Sequence, residues 1–329
     1  MQQDGDLNVE DLKVHFTKKS GLFGGPAEVV HAVDGVSFRI PAGKTLGIVG
    51  ESGSGKSTTA LAIMRLVAMT AGKVTLGDAV ISDLSGDALR AERKRFQMIF
   101  QDPYSSLNPR ERAGDIVKEP LNLMEIGTRS ERDERVAELF EQVGLRPEQK
   151  SLFPHQFSGG QRQRLGFARA LSTTPGLIVC DEPVSALDVA IQAQILNLMS
   201  DLQNGLGLTY LFISHDLGVV QHICDDIAVM YLGQIVEQAD RVTLFSNPQH
   251  PYTKALLAAV PTVHGSFVNG KRQPRKSTAR IKGDPPSPIN PPNGCRFAGR
   301  CPSAQPQCVE ISPDFRSIGK GHHVACHLV

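Results

Sequence analysis

The chain of 329 residues is 40% hydrophobic, enough apolar material for a sizeable core in one large or two modest domains. Lysine and arginine total 35 against 34 acids, so no overall field attracts a nucleic-acid backbone, and nucleic acid is not the default partner. No segment reaches the roughly 18 consecutive apolar residues of a membrane span, and the polar start MQQDGDLNVE lacks a signal-peptide layout. A cytosolic or peripheral protein with reduced cysteines is predicted.

Val36 to Ile40 alternates apolar and polar residues, PAGK makes a turn, and TLGIV (45–49) reads as a buried strand. The strand delivers the chain to Gly50-Glu51-Ser52-Gly53-Ser54-Gly55-Lys56-Ser57-Thr58, which matches G-x-x-x-x-G-K-[ST]. KSTTALAIMRLV (56–67) then has helical spacing. Glycines in such a loop let the amides of Gly50 to Thr58 converge on phosphate oxygens at a helix N-terminus. Lys56 would reach the β- and γ-phosphates and Ser57 a Mg²⁺. An ordinary glycine turn is the plainer alternative, disfavoured between a buried strand and an amphipathic helix.

From Ala113 to Leu145 the pattern is helical, with Ser130 as the expected cap and Val136, Leu139, Phe140 and Val143 on one stripe. A helical insertion of about 102–172 is predicted. Parallel-sheet patterning resumes at Gly176, and the apolar run ends in Asp181-Glu182, a Walker B arrangement. Asp181 would hold Mg²⁺ from its outer shell, and Glu182 would orient and deprotonate an attacking water. A helix from about Val189 to Leu202, the strand TYLFIS (209–214), a hairpin turning at Leu232 and Gly233, and a short helix in HPYTKALLAAV complete an α/β unit ending near 260. Residues 261–293 read as a basic, proline-rich linker, with six basic residues and no acid between Gly270 and Lys282. Such a run suits anionic lipid or plain solvation.

Phe157-Ser158-Gly159-Gly160-Gln161, opening a basic helix, resembles the signature of the ATP-binding-cassette (ABC) ATPases. With the phosphate loop and the acidic pair in order, the chain resembles that family. The fold implied is a P-loop NTPase nucleotide-binding domain with a helical subdomain. The resemblance implies that Ser158, Gly160 and Gln161 contact the γ-phosphate of ATP on a second subunit and that Asp188 communicates across the dimer. It also implies that His215 contacts the γ-phosphate as a switch and that Gln101 senses Mg²⁺ and the attacking water. One element departs from the family: the region before the phosphate loop, GGPAEVVHAV, has no aromatic for stacking adenine. Phe23 or Phe16 would serve if the glycine-rich KKSGLFGGP loop folds back, with an ordinary surface or core phenylalanine as the equal alternative.

Cys295, Cys301, Cys308 and Cys326 stand at C-x5-C-x6-C-x17-C and predict a small cysteine-bearing domain, 294–329. Four thiolates suit Zn²⁺ or an iron–sulfur cluster, and the lack of a close C-x2 to x4-C pair favours iron; four reduced thiols in a small apolar tail are the alternative. GCRFAGRCPSAQPQC and HHVAC resemble the C-terminal extension of ATPases serving dipeptide, oligopeptide and nickel importers, where the equivalent cysteines hold a [4Fe-4S] cluster. HPYTKALLAAVP and SPINPP are closer to the F-type than the D-type of the two paired subunits. That family implies a second ATPase subunit, two membrane permeases and an extracytoplasmic binding protein, with this chain on the cytoplasmic face of the membrane. ABC ATPases acting on DNA or ribosomes form the contrasting class. They usually carry a long coiled-coil insertion or two cassettes, and neither is visible.

Overall fold

Every side chain of the five-residue strand TLGIV is buried, and the fold is built outward from it. The computed structural model describes residues 5–18, 28–102, 106–259, 267–268, 271–272, 283–284 and 286–329. In chain order, β1 (Leu7–Lys18) pairs antiparallel with β2 (Glu28–Ile40), and β3 (Thr45–Val49) leads through the phosphate loop into α1 (Lys56–Ile63). β4 (Ala71–Leu76) and β5 (Ala79–Val80) extend the first pair into a four-stranded sheet ordered β2-β1-β4-β5. After α2 (Gly86–Glu92) and β6 (Phe96–Ile99), α3 (Ala113–Leu123), α4 (Arg129–Gln142) and α5 (Gly159–Leu171) form the helical insertion.

The chain then returns through β7 (Leu177–Asp181), α6 (Val189–Leu206), β8 (Thr209–Ser214), α7 (Leu217–Ile223), β9 (Asp226–Tyr231) and β10 (Gln234–Asp240). α8 (Arg241–Ser246) and α9 (Pro251–Ala259) follow. A short hairpin of β11 (Phe267–Val268) and β12 (Lys271–Arg272) precedes α10 (Pro306–Glu310), β13 (Arg316–Gly319) and β14 (His322–Val324).

The main sheet has eight strands in the order β13-β14-β10-β9-β3-β8-β7-β6. Its five strands from β9 to β6 are parallel, which the continuous apolar runs TLGIV, LIVC and TYLFIS require because both faces are covered. On one face the core joins Phe140, Phe167 and Phe212 to the insertion; on the other, Leu12, Val33 and Ile48 join it to the smaller sheet. Parallel strands bring their C-terminal ends to one edge, so the phosphate loop after β3, the acids at the end of β7 and the histidine after β8 open on the same side.

Several elements depart from the sequence reading. α1 stops at Ile63, and Arg65 takes a left-handed conformation with φ 54°. α4 is capped by Thr128, which accepts from the Glu131 amide while the Glu131 carboxylate takes the Thr128 amide; Ser130 lies inside the first turn and bonds Glu134. The T-x-x-E box wins because it satisfies two orphan amides reciprocally. The cysteine segment does not stand apart, since β14 pairs with β10 and Phe297 is part of the main core. Most of the expected linker, 261–293, lies outside the described residues.

Candidate nucleotide site and cysteine tail

The phosphate loop takes its shape from backbone crowding. A Cβ on Gly50 would lie 2.2 Å from the Met230 carbonyl oxygen, and one on Gly55 would lie 2.2 Å from that of Ala32, both at positive φ. Only glycine fits these two approaches. The loop is also tied to the β9–β10 turn, where Leu232 and Gly233 both have positive φ and the Gly233 amide donates to the Ser54 carbonyl at 2.8 Å. α1 starts directly behind it with no acid in its first turn, leaving its amide end free to attract an anion.

A cavity of about 560 Å³ opens over this loop, lined by Ser52, Gly53, Gly55, Lys56, Ser57 and Thr58 and, from other elements, by Gln101, Glu182 and His215. Lys56 Nζ donates to the carbonyls of Gly50 and Glu51 at 2.9 Å each. Burial lowers its pKa, against the charges of Glu182, Asp181 and Glu51. The Ser57 hydroxyl donates to Asp181 Oδ1 at 2.9 Å. Burial and the neighbouring charge of Glu182 raise the Asp181 pKa, against the Ser57 hydrogen bond and Lys56. A buried carboxylate beside a hydroxyl is a hard-oxygen donor pair suited to a divalent cation.

The Glu182 carboxylate is held from two sides. Gln101 Nε2 donates to Oε2 at 3.0 Å, and His215 Nδ1 lies 3.1 Å from Oε1. Its own backbone sits at φ 49°, an unfavourable conformation for a glutamate, maintained by the Glu182 amide on the Ile213 carbonyl at 3.0 Å and the Ser185 hydroxyl on its carbonyl at 3.0 Å. Gly50 and Ser54 are not among the lining residues; Ser54 is buried behind the loop.

The signature residues lie away from this cavity. Ser158 caps α5 in a reciprocal box with Gln161, and Gly160 packs so closely on α6 that a Cβ would meet Ile191 at 2.6 Å. Asp188 caps α6 through the Ile191 amide at 2.9 Å. None of Ser158, Gly160, Gln161 and Asp188 is among the cavity's described lining residues, so within one chain the motifs form two separate surfaces.

A family model described as "ABC transporter" matches residues 33–185, and a second, "Oligopeptide/dipeptide transporter, C-terminal region", matches 236–308. The oligopeptide transport ATP-binding protein AppF of Bacillus subtilis is 51% identical over 99% of this chain and 98% of its own length. A probable peptide ABC transporter ATP-binding protein of Sinorhizobium fredii is 49% identical over 99% of this chain and 90% of its own. The chain belongs to the ATP-binding proteins of the oligopeptide and dipeptide ABC transporter family. Among solved structures, the dimeric ABC cassette MJ0796 bound to ADP and Pi is similar with TM-score 0.63 and 29% identity, over 71% of this chain and 98% of that one.

The tail of this ABC protein grips the phosphate loop. Arg300 donates to both carboxylate oxygens of Glu51, at 2.8 and 3.1 Å, and to the Tyr231 hydroxyl at 3.3 Å. Arg296 donates to the Leu232 carbonyl and to Asp34, whose carboxylate also meets His15 Nε2 at 2.9 Å and His31 Nδ1 at 3.2 Å. Between the two arginines Phe297 packs edge-on to Tyr231 and against Tyr252 and His250. The Tyr252 hydroxyl accepts from the Glu51 amide at 2.9 Å. The fully buried Glu237 accepts from the His250 amide and from His322 of β14. Glu51, Tyr252, Arg296 and Arg300 were not legible as site residues, although HPY and the cysteine loop that carry three of them were conspicuous.

The four tail cysteines come to one locus. Cys295 feels the charges of Cys308, Cys326 and Cys301, and burial pushes the thiols of Cys295, Cys301 and Cys326 up. Each sulfur faces an amide: Phe297 to Cys295, Ser303 to Cys301, Gln305 to Cys308 at 3.5 Å and Leu328 to Cys326 at 3.5 Å. Phe16, one expected adenine platform, is 46% exposed opposite Val30 on β1 and is not a lining residue; Phe23 lies outside the described residues.

Proposed function

We propose that the chain is the ATP-hydrolysing subunit of an importer for dipeptides or oligopeptides, acting at the cytoplasmic face of the membrane. The observation that carries the ATPase reading is the meeting of Lys56, Ser57, Glu182, Gln101 and His215 around one cavity, with Asp181 bonded to the Ser57 hydroxyl behind its lining. The peptide reading is supported by the two relatives, an oligopeptide transport and a probable peptide ABC transporter ATP-binding protein, at 51% and 49% identity. Among the described residues no helix is long and apolar enough to cross a membrane, so in this reading the path belongs to two permeases. A second ATPase subunit, of the D-type, and an extracytoplasmic binding protein would complete the assembly.

In this mechanism the loop amides and Lys56 bind the ATP phosphates. Glu182 takes a proton from water as it attacks the γ-phosphorus, with the bond to the β-γ bridging oxygen breaking to give ADP and phosphate. Gln101 and His215 hold the carboxylate in place. Ser57 and Asp181 would hold Mg²⁺, which supplies charge neutralisation on the phosphates. Ser158, Gly160 and Gln161 would close over the ATP of the partner, with Asp188 beside them, in a head-to-tail pair. Their separation from the same chain's cavity and the dimeric state named for the similar cassette support this arrangement. Closure would move the permeases through the helical insertion.

We further propose that Cys295, Cys301, Cys308 and Cys326 hold a [4Fe-4S] cluster. Amide hydrogen bonds onto all four sulfurs suit ligating thiolates, which need donors to spread their charge. A tetrahedral zinc site brings its sulfurs within about 4 Å of one another. Among the described residues the group of three ligands within 4.8 Å of one another is His15, His31 and Asp34, and no three of these sulfurs form one. That spacing disfavours a single tetrahedral zinc.

Copurification from native membranes tests the transport reading: permeases of a peptide importer are expected, and recovery with ribosomes or DNA without permeases would overturn it. Purification without oxygen tests the tail, where a brown protein with iron and sulfide lost on Cys301→Ser is expected. A colourless, metal-free, active preparation would refute the cluster.

A further inference from the structure

The cavity over the phosphate loop has an uneven lining. Apart from Val30, Ala32 and Pro288, every lining residue is a glycine or carries a polar or charged side chain. The polar residues mark where triphosphate and water belong, because Lys56, Ser57, Gln101, Glu182 and His215 are among them. The three apolar residues are neighbours. Val30 and Ala32 lie on β2, and the segment carrying Pro288 runs antiparallel beside it: the His31 amide donates to the Pro288 carbonyl at 3.0 Å, the Asn290 amide to the Val29 carbonyl at 3.1 Å, and Val30 bridges Ile289.

A purine has apolar, polarizable faces and polar edges, so it favours a flat aliphatic wall where no aromatic ring is offered. We infer that Pro288, brought in by the C-terminal segment, is a base-positioning residue whose ring forms with Val30 the wall on which the adenine of ATP rests. This rests on the nucleotide-binding reading and extends it. The departure in the sequence before the phosphate loop is then compensated by a residue far downstream. The wall is continuous with the Arg296–Asp34 contact, since Asp34 also bonds His31.

The test uses the full chain and two probes, Mg-ATP and Mg-tripolyphosphate, the second having phosphates but no base. Pro288→Ser keeps the carbonyl that His31 needs and removes the ring. It should weaken Mg-ATP binding about fivefold, leave Mg-tripolyphosphate binding unchanged, and be largely reversed by Pro288→Ile. Equal weakening of both probes would overturn the inference, because Pro288 would then act on the loop and not on the base. So would unchanged ATP binding in Pro288→Ser together with a base-dependent loss in Phe16→Ala or Phe23→Ala. A wild-type chain that binds neither probe would instead overturn the nucleotide reading, and the wall with it.

Discussion

Two regions meet on Glu51, and they hold it by different means. On one side the phosphate loop is fixed by backbone geometry: glycines whose missing Cβ atoms leave room for the Met230 and Ala32 carbonyls, and an amide from Gly233. On the other side C-terminal elements hold the same loop by side chains, Arg300 of the tail on the Glu51 carboxylate and Tyr252 of α9 on its amide. Backbone crowding allows almost no substitution, whereas ion pairs and ring contacts can be rebuilt from other residues. Chemistry at the phosphates is therefore placed in the rigid region, and the connection to the rest of the molecule in the adjustable one.

The largest expected effect lies wholly in the rigid region. Glu182→Gln keeps the shape of the side chain and its bond from Gln101 but cannot accept a proton. ATP hydrolysis should fall by roughly 10²–10⁴-fold while ATP binding persists. Sizing in the presence of ATP should reveal a trapped closed dimer. Turnover at the wild-type rate would mean that Glu182 is not the base and that geometry around it serves another purpose.

The contrast also explains what was legible from the sequence. Gly50 to Thr58, Asp181, Glu182 and the strands leading to them could be read because phosphate chemistry demands particular residue types after a buried apolar run. His215 and Gln101 were legible only through their order relative to those motifs, and the structure brings both to Glu182. The tail announced its cysteines but not its docking. An arginine within GCRFAGRC looks like any solvated arginine, and nothing local reveals that Arg300 finds a carboxylate 249 positions earlier in the chain. Pro288 was hidden in a stretch read as linker, since proline-rich composition describes the lack of helix and not what the chain lies against. Serine and threonine both cap well, so the sequence offers Ser130 as the cap, and only the reciprocal bonding with Glu131 selects Thr128, two positions earlier.

Acid should separate the two regions next. His250, buried between the Phe297 ring and Glu237, has its pKa lowered from 6.5 to about 4 by burial and by the charge of Lys254. The folded protein then keeps His250 neutral while the unfolded chain takes up a proton below about 6.5. Its contribution is present above that pH and is lost as pH falls towards 4, worth about 3 kcal/mol in full. Thermal unfolding followed from pH 7 to 4 should show a shallower loss in His250→Asn than in the wild type, with the excess wild-type loss inside this window. Parallel curves for the two proteins would show that His250 is not held neutral in the folded protein.

The smallest expected effect is the most direct measure of the adjustable grip. The Arg300 side chain is 10% exposed and makes a two-point contact with Glu51, itself 27% exposed, so the pair is partly shielded from water without being buried. A double-mutant cycle over Arg300→Ala and Glu51→Ala should give a coupling of about 1–2 kcal/mol in unfolding free energy, discounted from the range for charged hydrogen bonds by that exposure. Arg300→Lys should recover little, because an ammonium cannot reproduce the planar fork that spans both carboxylate oxygens. The same variants should raise KM for ATP with kcat nearly unchanged, since Glu51 shapes the loop that binds phosphate and does not touch the attacking water. A fall in kcat without a change in KM would instead connect the tail to the chemical step through Glu182, and the division between the two regions would have to be redrawn at that residue.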